Sequence, residues 1–370
     1  MPVLSLAPAV SLLAAFQRVS PVRPLRTLLR TTGEKFNPPR LHAHAPSVRR
    51  AQDAVVGRGD AGLHQFATVL REAGRGRTPT IVLGGFVPDS TEQVFLLRRF
   101  FLRFGDLYYL NYPRHGFSLD LICAQLDDLV EELTAAGRPP VIFSVSFGGG
   151  VLLEWLRRAK AAGRSAPLAG AVLVSPVACV DDIVDPARPK PATLLGRALK
   201  PYLGAAGAIR EEAVEKSRTI FTRMFEAGAQ NKATLRMLMT RAELARLYEG
   251  VMGTIRGITA DGARERVQAL RQMLAPTAYF SQALLPLTEA PALVLYAEKE
   301  DAVLDPGSPT RFGLETAGRA YFPQHRMQTV STPFGTPVQH ASLIFHVFDF
   351  LPPITAFYQR LKPGRANAAA

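Results

Sequence analysis

Short apolar segments alternate with longer amphipathic segments from residue 80 onward, and this alternation constrains the fold more than any other feature of the chain. The apolar segments have the length of buried strands and cover residues 80–84, 106–112, 140–145 and 169–176. Apolar residues recur at helical spacing over residues 91–104, 119–136 and 151–162. Strands that alternate with helices of this length predict right-handed βαβ units. We therefore expect a mostly parallel sheet with helices on both faces.

The alternation stops at residue 181. Residues 181–288 contain amphipathic helical stretches and no convincing strand, whereas strand character returns at 291–296 and near 327–330. A last helix is predicted over residues 342–361. We predict five regions: a basic extension at 1–77, a core in two parts at 78–180 and 289–362, a helical insertion at 181–288, and a disordered tail at 363–370.

A serine stands where the strand at 140–145 meets a glycine-rich helix start, in the segment Phe-Ser-Val-Ser-Phe-Gly-Gly-Gly of residues 143–150. A tight turn there presents the hydroxyl of Ser146 above the sheet edge, and the N–H of Phe147 faces the same space. The N-terminus of the following helix adds positive potential where an oxyanion would develop. The alternative interpretation is a glycine-rich turn with an incidental serine.

This segment resembles the nucleophile elbow of the α/β-hydrolase superfamily, Gly-x-Ser-x-Gly. Ser144 replaces the first glycine, while Gly148 and Gly149 supply the small residues of the elbow. The resemblance implies an α/β-hydrolase fold with Ser146 as nucleophile. In that family the loop after the first core strand supplies a second oxyanion-hole amide. The resemblance implies that this amide is the N–H of Phe86, which would act together with the N–H of Phe147.

The same resemblance implies an acid after the strand at 291–296 and a histidine base before the last helix. Glu300 and Asp301 both occupy the acid position, and we favour Asp301 because aspartate is the commoner acid in such triads. His340 is the predicted base, because a loop at that sheet edge can bring it to the serine. The order Ser146, Asp301, His340 is the order that the family uses.

The implied function is hydrolysis of a carboxylic ester through an acyl-enzyme, by a serine esterase or lipase-like enzyme. In such enzymes a helical cap covers the site. Leu, Met and Phe of the insertion would then line a pocket for a medium or long acyl group, or would only pack the insertion onto the core. The alternatives are an acyltransferase, a thioesterase, or a non-catalytic member that binds an apolar ligand. The resemblance implies no metal ion and no cofactor.

Positive charge is concentrated at the start of the chain. The formal net charge is +13, and residues 1–50 hold eight Lys and Arg against one Glu. We expect either contact of residues 1–50 with an anionic membrane or an arm packed on the core. No nucleic-acid-binding signature accompanies the charge. We expect a cytoplasmic chain and leave secretion open, because the positive charges follow the first apolar run rather than precede it. Two cysteines exclude a disulfide framework.

Overall fold

A computed structural model describes residues 40–58, 64–188, 190–204, 209–228, 239–280, 283–333 and 336–361. Within these ranges, eight strands form one central sheet. They are β1 (His42–Ala43), β2 (Thr68–Glu72), β3 (Thr80–Leu83), β4 (Leu107–Asn111), β5 (Val141–Val145), β6 (Gly170–Val174), β7 (Ala292–Ala297) and β8 (His325–Val330).

The sheet has the strand order β1-β2-β4-β3-β5-β6-β7-β8. Neighbouring strands from β4 to β8 pair in parallel, whereas β1 and β2 add an antiparallel edge. The central strands β3, β5, β6 and β7 are buried along their whole length, as their mostly apolar sequences predict. The mostly parallel sheet expected from the sequence is therefore present.

Helices connect the strands and cover the sheet. They are α1 (Arg50–Val56), α2 (Ser90–Gln93), α3 (Arg98–Phe101), α4 (Leu119–Ala135), α5 (Phe147–Ala161), α6 (Leu194–Leu199), α7 (Glu211–Gly228), α8 (Arg241–Arg256), α9 (Ala260–Gln272), α10 (Pro309–Tyr321) and α11 (Val347–Tyr358). Short 3-10 helices cover Val180–Asp182, Lys200–Tyr202 and Pro276–Tyr279. Within the described ranges, no helix is long and apolar enough to cross a membrane.

The predicted boundary at residue 78 is too late, because part of the predicted extension belongs to the sheet. Strand β2 pairs with β4 along its whole length. Its sequence hides this, since buried Glu72 interrupts the apolar pattern and is neutralised by an ion pair with Arg98. Helix α1 is also docked on the core, because Asp128 accepts the N–H groups of Ala51 and Gln52 at 2.9 and 3.0 Å.

Two other predictions fall on residues that the structure does not describe. Residues 1–39, which carry most of the proposed membrane contact, lie outside the described residues, and so does the tail at 363–370. In the described parts of the insertion the chain forms helices α6 to α9 and the 3-10 helices, as its amphipathic pattern predicts. These helices lie against the sheet edge at which β3, β5 and β7 end, and several of their side chains line the cavity described below.

Candidate active site

Ser146 lies on a strained turn between β5 and α5. Its backbone has φ 52° and ψ −116°, a left-handed conformation that L-residues rarely adopt. Three backbone hydrogen bonds stabilise this turn. The Ser146 N–H donates to Val174 O at 2.8 Å, and the Ser146 carbonyl accepts from Gly149 N and Val177 N at 2.8 and 3.0 Å. The surrounding backbone therefore holds the hydroxyl in one place.

Small residues around the turn allow three backbone segments to meet. A Cβ at Gly148 would lie within 3.0 Å of two carbonyl oxygens, and one at Gly149 would overlap Pro176. Ser144 stands where the family has glycine, and its buried hydroxyl donates to Val172 O at 2.9 Å. Because that hydroxyl is satisfied on the neighbouring strand, a serine fits at this position.

His340 lies beside Ser146. Its Nε2 is 2.9 Å from Ser146 Oγ, a hydrogen-bonding distance. The loop that carries His340 is held by an isolated β-bridge between Gln339 and Lys299, the residue before Glu300. The structure therefore brings together a serine and a histidine that are far apart in the sequence.

The carboxylate that faces His340 belongs to Glu300, so the preference for Asp301 is corrected. Glu300 Oε2 contacts His340 Nδ1, while Oε1 accepts from the hydroxyl of Ser175 at 2.7 Å and from the N–H of Ala297 at 2.6 Å. Glu300 is 5% exposed. Asp301 is exposed and makes no hydrogen bond or ion pair with any described residue.

The local backbone explains why only one of the two acids reaches the histidine. Glu300 opens a helical turn in which its carbonyl accepts from Val303 N and Leu304 N. Successive residues of such a turn point about 100° apart, so the carboxylates of Glu300 and Asp301 cannot both face His340. The sequence places both in the right loop, and the turn selects between them.

Ser175 is a residue of the site that sequence reasoning missed. It follows β6 directly, is fully buried, and has a positive φ of 47°. Its hydroxyl orients Glu300. The available signal was its position, since the carboxyl ends of parallel strands meet at one sheet edge, where β6 ends next to β7.

The two predicted oxyanion-hole residues both adjoin Ser146. Phe147 is the first residue of α5, so its N–H has no partner in its own helix. Phe86 lies in the segment of residues 84–88, here called the Phe86 loop, and its ring meets the Phe147 ring edge to face at 5.8 Å. A Cβ on Gly85 would be 3.4 Å from the Cβ of Ser146, so this loop runs directly beside the serine.

A cavity of about 220 Å³ opens onto Ser146 and His340. The helical insertion contributes apolar lining residues, and the core contributes Phe86, Val87, Ile344 and Phe345. The lining residues of the insertion are Leu194, Leu195, Phe221, Met224, Phe225, Ala227, Gly228, Val251 and Ile255. Besides Ser146 and His340, the polar lining residues are Gln93, Gln339 and Ser342. Among the described residues that line it there is no Lys, Arg, Asp or Glu, so the cavity suits an uncharged group.

Two other histidines, His346 and His325, have different partners and do not contact Ser146. His346 binds Ser342 Oγ and Thr336 O at 2.9 Å each, and burial lowers its pKa. It therefore stabilises the loop of His340 in its neutral form. His325 packs against Gly318. In the part of the chain that the structure describes, no three His, Cys, Asp or Glu side chains are grouped as metal ligands.

Glu92, on helix α2, lies at the contact between that helix and the insertion. Its carboxylate accepts the N–H of Asp89 at 3.1 Å and the hydroxyl of Thr254, on α8, at 3.1 Å. Burial, and after it the negative charge of Asp89, raise its pKa to about 7, although its hydrogen bonds and Arg114 act in the opposite direction. The contact between α2 and the insertion therefore contains a carboxyl that titrates near neutrality.

We expect Glu92→Gln to abolish a loss of stability that the wild type shows between pH 5 and 8. A carboxyl with a folded-state pKa near 7 and a reference value of 4.5 binds its proton more tightly when folded. Its contribution to the free energy of unfolding is therefore fully present below pH 4.5 and is lost as the pH rises through 7. Glutamine can still cap α2. Thermal unfolding at each pH measures the difference, with the exposed Glu249→Gln as control; parallel curves for wild type and Glu92→Gln would contradict the expectation.

Comparison with known proteins identifies the family. The sequence profile of the alpha/beta hydrolase family matches residues 84–334, which is more than half of the chain. The protein belongs to the alpha/beta hydrolase family. The resemblance and fold class predicted from the sequence are thus confirmed for this alpha/beta hydrolase. Among curated proteins, none matches the sequence.

Solved structures show the same fold at low sequence identity. A putative aryl esterase from Burkholderia cenocepacia is 17% identical, with a TM-score of 0.51 over 80% of this alpha/beta hydrolase and 96% of its own chain. An esterase from Exiguobacterium antarcticum is 12% identical, with a TM-score of 0.52 over 79% and 96%. A meta-cleavage product hydrolase from Pseudomonas fluorescens is 12% identical, with a TM-score of 0.52 over 80% and 96%.

Proposed function

We propose that this alpha/beta hydrolase cleaves carboxylic esters that carry an uncharged, apolar acyl group, with Ser146, His340 and Glu300 as its catalytic triad. One observation carries the proposal. Ser146 Oγ, both ring nitrogens of His340 and the carboxylate of Glu300 form a continuous chain of contacts at the wall of an apolar cavity.

The chain of contacts defines the direction of proton transfer. Glu300 accepts from His340 Nδ1, which leaves the lone pair of Nε2 directed at Ser146 Oγ. As Oγ attacks the ester carbonyl, Nε2 takes its proton, and Glu300 stabilises the imidazolium that forms. The new Oγ–C bond replaces the bond to the leaving alcohol, whose oxygen receives the proton from His340.

Negative charge develops on the former carbonyl oxygen during this attack. The amides of Phe86 and Phe147 are the donors proposed to bind it, aided by the N-terminus of α5. Water then enters, gives its proton to His340 and attacks the acyl-enzyme by the same path. The free acid leaves, and Ser146 regains its proton.

The lining of the cavity supports a proposal for the class of acyl group that it binds. Phe, Leu, Ile, Val and Met account for twelve of its 22 lining residues, and four of these twelve are phenylalanines. A charged acyl chain would lose its hydration there without gaining a partner. We therefore propose a medium-length or longer, lipid-like acyl group, which gains free energy with each buried methylene.

Labelling with a fluorophosphonate probe tests the nucleophile. We expect the wild type to be labelled on the peptide that contains Ser146, and Ser146→Ala to be unlabelled and inactive on p-nitrophenyl esters. Peptide mapping by mass spectrometry distinguishes Ser146 from Ser342, the other serine of the cavity wall. Labelling that persists in Ser146→Ala would refute the proposed nucleophile.

Turnover across acyl lengths tests the substrate class. We expect kcat/KM to rise from p-nitrophenyl acetate to the octanoate ester and to fall sharply when the acyl chain ends in a carboxylate. Labelling without turnover of any ester, with or without an added alcohol or thioester, would support the alternative of a ligand-binding member.

A further inference from the structure

A buried arginine of the insertion contacts the loop beside the nucleophile. Arg266, on α9, donates from Nη1 to the carbonyl of Phe86 and from Nη2 to the carbonyl of Pro113 at 3.2 Å. The centre of its guanidinium lies 5.6 Å from the ring of Phe86 and 5.8 Å from that of Tyr112. The residue is only 6% exposed.

This cation has no carboxylate to neutralise it directly. Among the described residues, none of the Asp and Glu oxygens forms an ion pair with Arg266, and its buried Nε makes no hydrogen bond. Burial lowers its pKa to about 10, with a smaller contribution from Arg114, so it stays charged at neutral pH. Asp89 and Glu265 stabilise the cation only from beyond ion-pair distance, and its direct contacts among the described residues are carbonyls and aromatic faces. A buried charge held in this way costs stability, and such a group calls for a functional explanation.

The helix that carries Arg266 is fixed against the core. A Cβ at Gly262 would overlap the carbonyl oxygen of Arg114, so only glycine allows α9 to approach this closely. The carboxylate of Glu265 accepts the N–H of Phe117 at 2.8 Å. Arg266 therefore extends from a rigid support rather than from a mobile surface.

The Phe86 loop is held on both sides of the amide that the mechanism uses. Gln93 Oε1 accepts the N–H of Gly85 at 2.8 Å, which orients the peptide plane before that amide. Arg266 binds the carbonyl of Phe86, which orients the peptide plane after it. The Phe86 N–H lies in the plane between these two, so restraining both neighbours restrains its direction.

We infer that Arg266 is a positioning residue for the oxyanion hole, through which the docked insertion aims the N–H of Phe86 at the developing oxyanion. The inference rests on the proposed ester hydrolysis. The guanidinium also adds positive potential behind the loop, in a site sheltered from water. Because the oriented N–H of Phe86 and the positive charge act on the transition state, the role predicts a loss in kcat rather than in substrate binding.

Arg266→Met, Arg266→Lys and the control Arg271→Met test the inference. Arg271 lies on the same helix and also donates to a backbone carbonyl, that of Leu203, but far from the Phe86 loop. We expect Arg266→Met to lower kcat on p-nitrophenyl butyrate by about 10²-fold, with KM within about threefold. Arg266→Lys keeps the charge but cannot donate to both carbonyls as the guanidinium does. Its kcat should therefore lie between those of Arg266→Met and the wild type. Arg271→Met should stay within about twofold of wild type.

A second readout separates positioning from folding. A trifluoromethyl ketone forms a tetrahedral oxyanion on the serine, so its affinity should fall in parallel with kcat, whereas an unreactive amide of the same acyl chain should bind all variants equally. Activities are expressed per folded molecule, measured by circular dichroism. If Arg266→Met does not fold, the same comparison is made with Arg266→Lys and Arg266→Gln.

The outcomes are distinguishable from failure of the proposed function. Unchanged kcat per folded molecule, or equal losses of ketone and amide affinity, would overturn the positioning role while Ser146→Ala remains inactive. Wild-type protein that turns over no ester would overturn the proposed function and, with it, this role.

Discussion

Replacing Glu300 with glutamine is expected to lower kcat by about 10³- to 10⁴-fold, because it reverses the hydrogen bond that orients the imidazole. The N–H of Ala297 can only donate, and it binds Oε1 of Glu300 together with Ser175 Oγ. An amide at residue 300 would therefore place its oxygen toward Ala297 and its NH₂ toward His340 Nδ1. His340 would then carry its proton on Nε2 and could not accept one from Ser146.

Asp301→Asn is the matched control, since it makes the same chemical change one residue along the chain. Asp301 is exposed and has no partner among the described residues, so its replacement should leave kcat within about twofold of wild type. Steady-state kinetics on a p-nitrophenyl ester measures both variants, and thermal unfolding checks that both are folded. A large loss in Asp301→Asn with a small loss in Glu300→Gln would reverse the assignment of the acid.

Gly148→Ala is expected to destabilise the protein by about 3 kcal/mol, because the added methyl group meets backbone rather than a movable side chain. Its Cβ would lie within 3.0 Å of the carbonyl oxygens of Leu83 and Gly84. To relieve this overlap, the end of β3 and the start of the Phe86 loop must move away from α5. We therefore expect ester turnover per folded molecule to fall together with the free energy of unfolding.

Gly253→Ala provides a control of opposite sign. Gly253 also lies within a helix, α8, but nothing would lie within 4 Å of an added Cβ. Alanine there should stabilise the protein by up to about 1 kcal/mol, because it restricts the unfolded chain and favours the helix. Urea unfolding of the two variants measures both effects. Equal stabilities for Gly148→Ala and wild type would show that the elbow tolerates a wider separation than the structure indicates.

The strands of the sheet could be predicted from the sequence wherever a segment was mostly apolar. The mostly apolar strands β3, β5, β6 and β7 are predictable because strands that are buried on both faces need no alternation of apolar and polar residues. Strand β2 was missed, since its buried Glu72 looks like a surface residue until Arg98 is brought to it. The predicted helix at 91–104 is two short helices, α2 and α3, with residues 94–97 between them.

The chain by itself determined the fold class, a tight turn at Ser146 and the loops that carry Glu300, Asp301 and His340, because these depend on residues that are neighbours in the sequence. Only the tertiary structure decided that Glu300 rather than Asp301 faces His340, that Ser175 orients it, and that Arg266 reaches the Phe86 loop. Each of these contacts joins residues that are at least 40 positions apart in the sequence, and all of them except Arg266 lie in loops. Their geometry is set by the direction of each backbone turn and by the packing of the insertion, and neither leaves a periodic signal in the sequence.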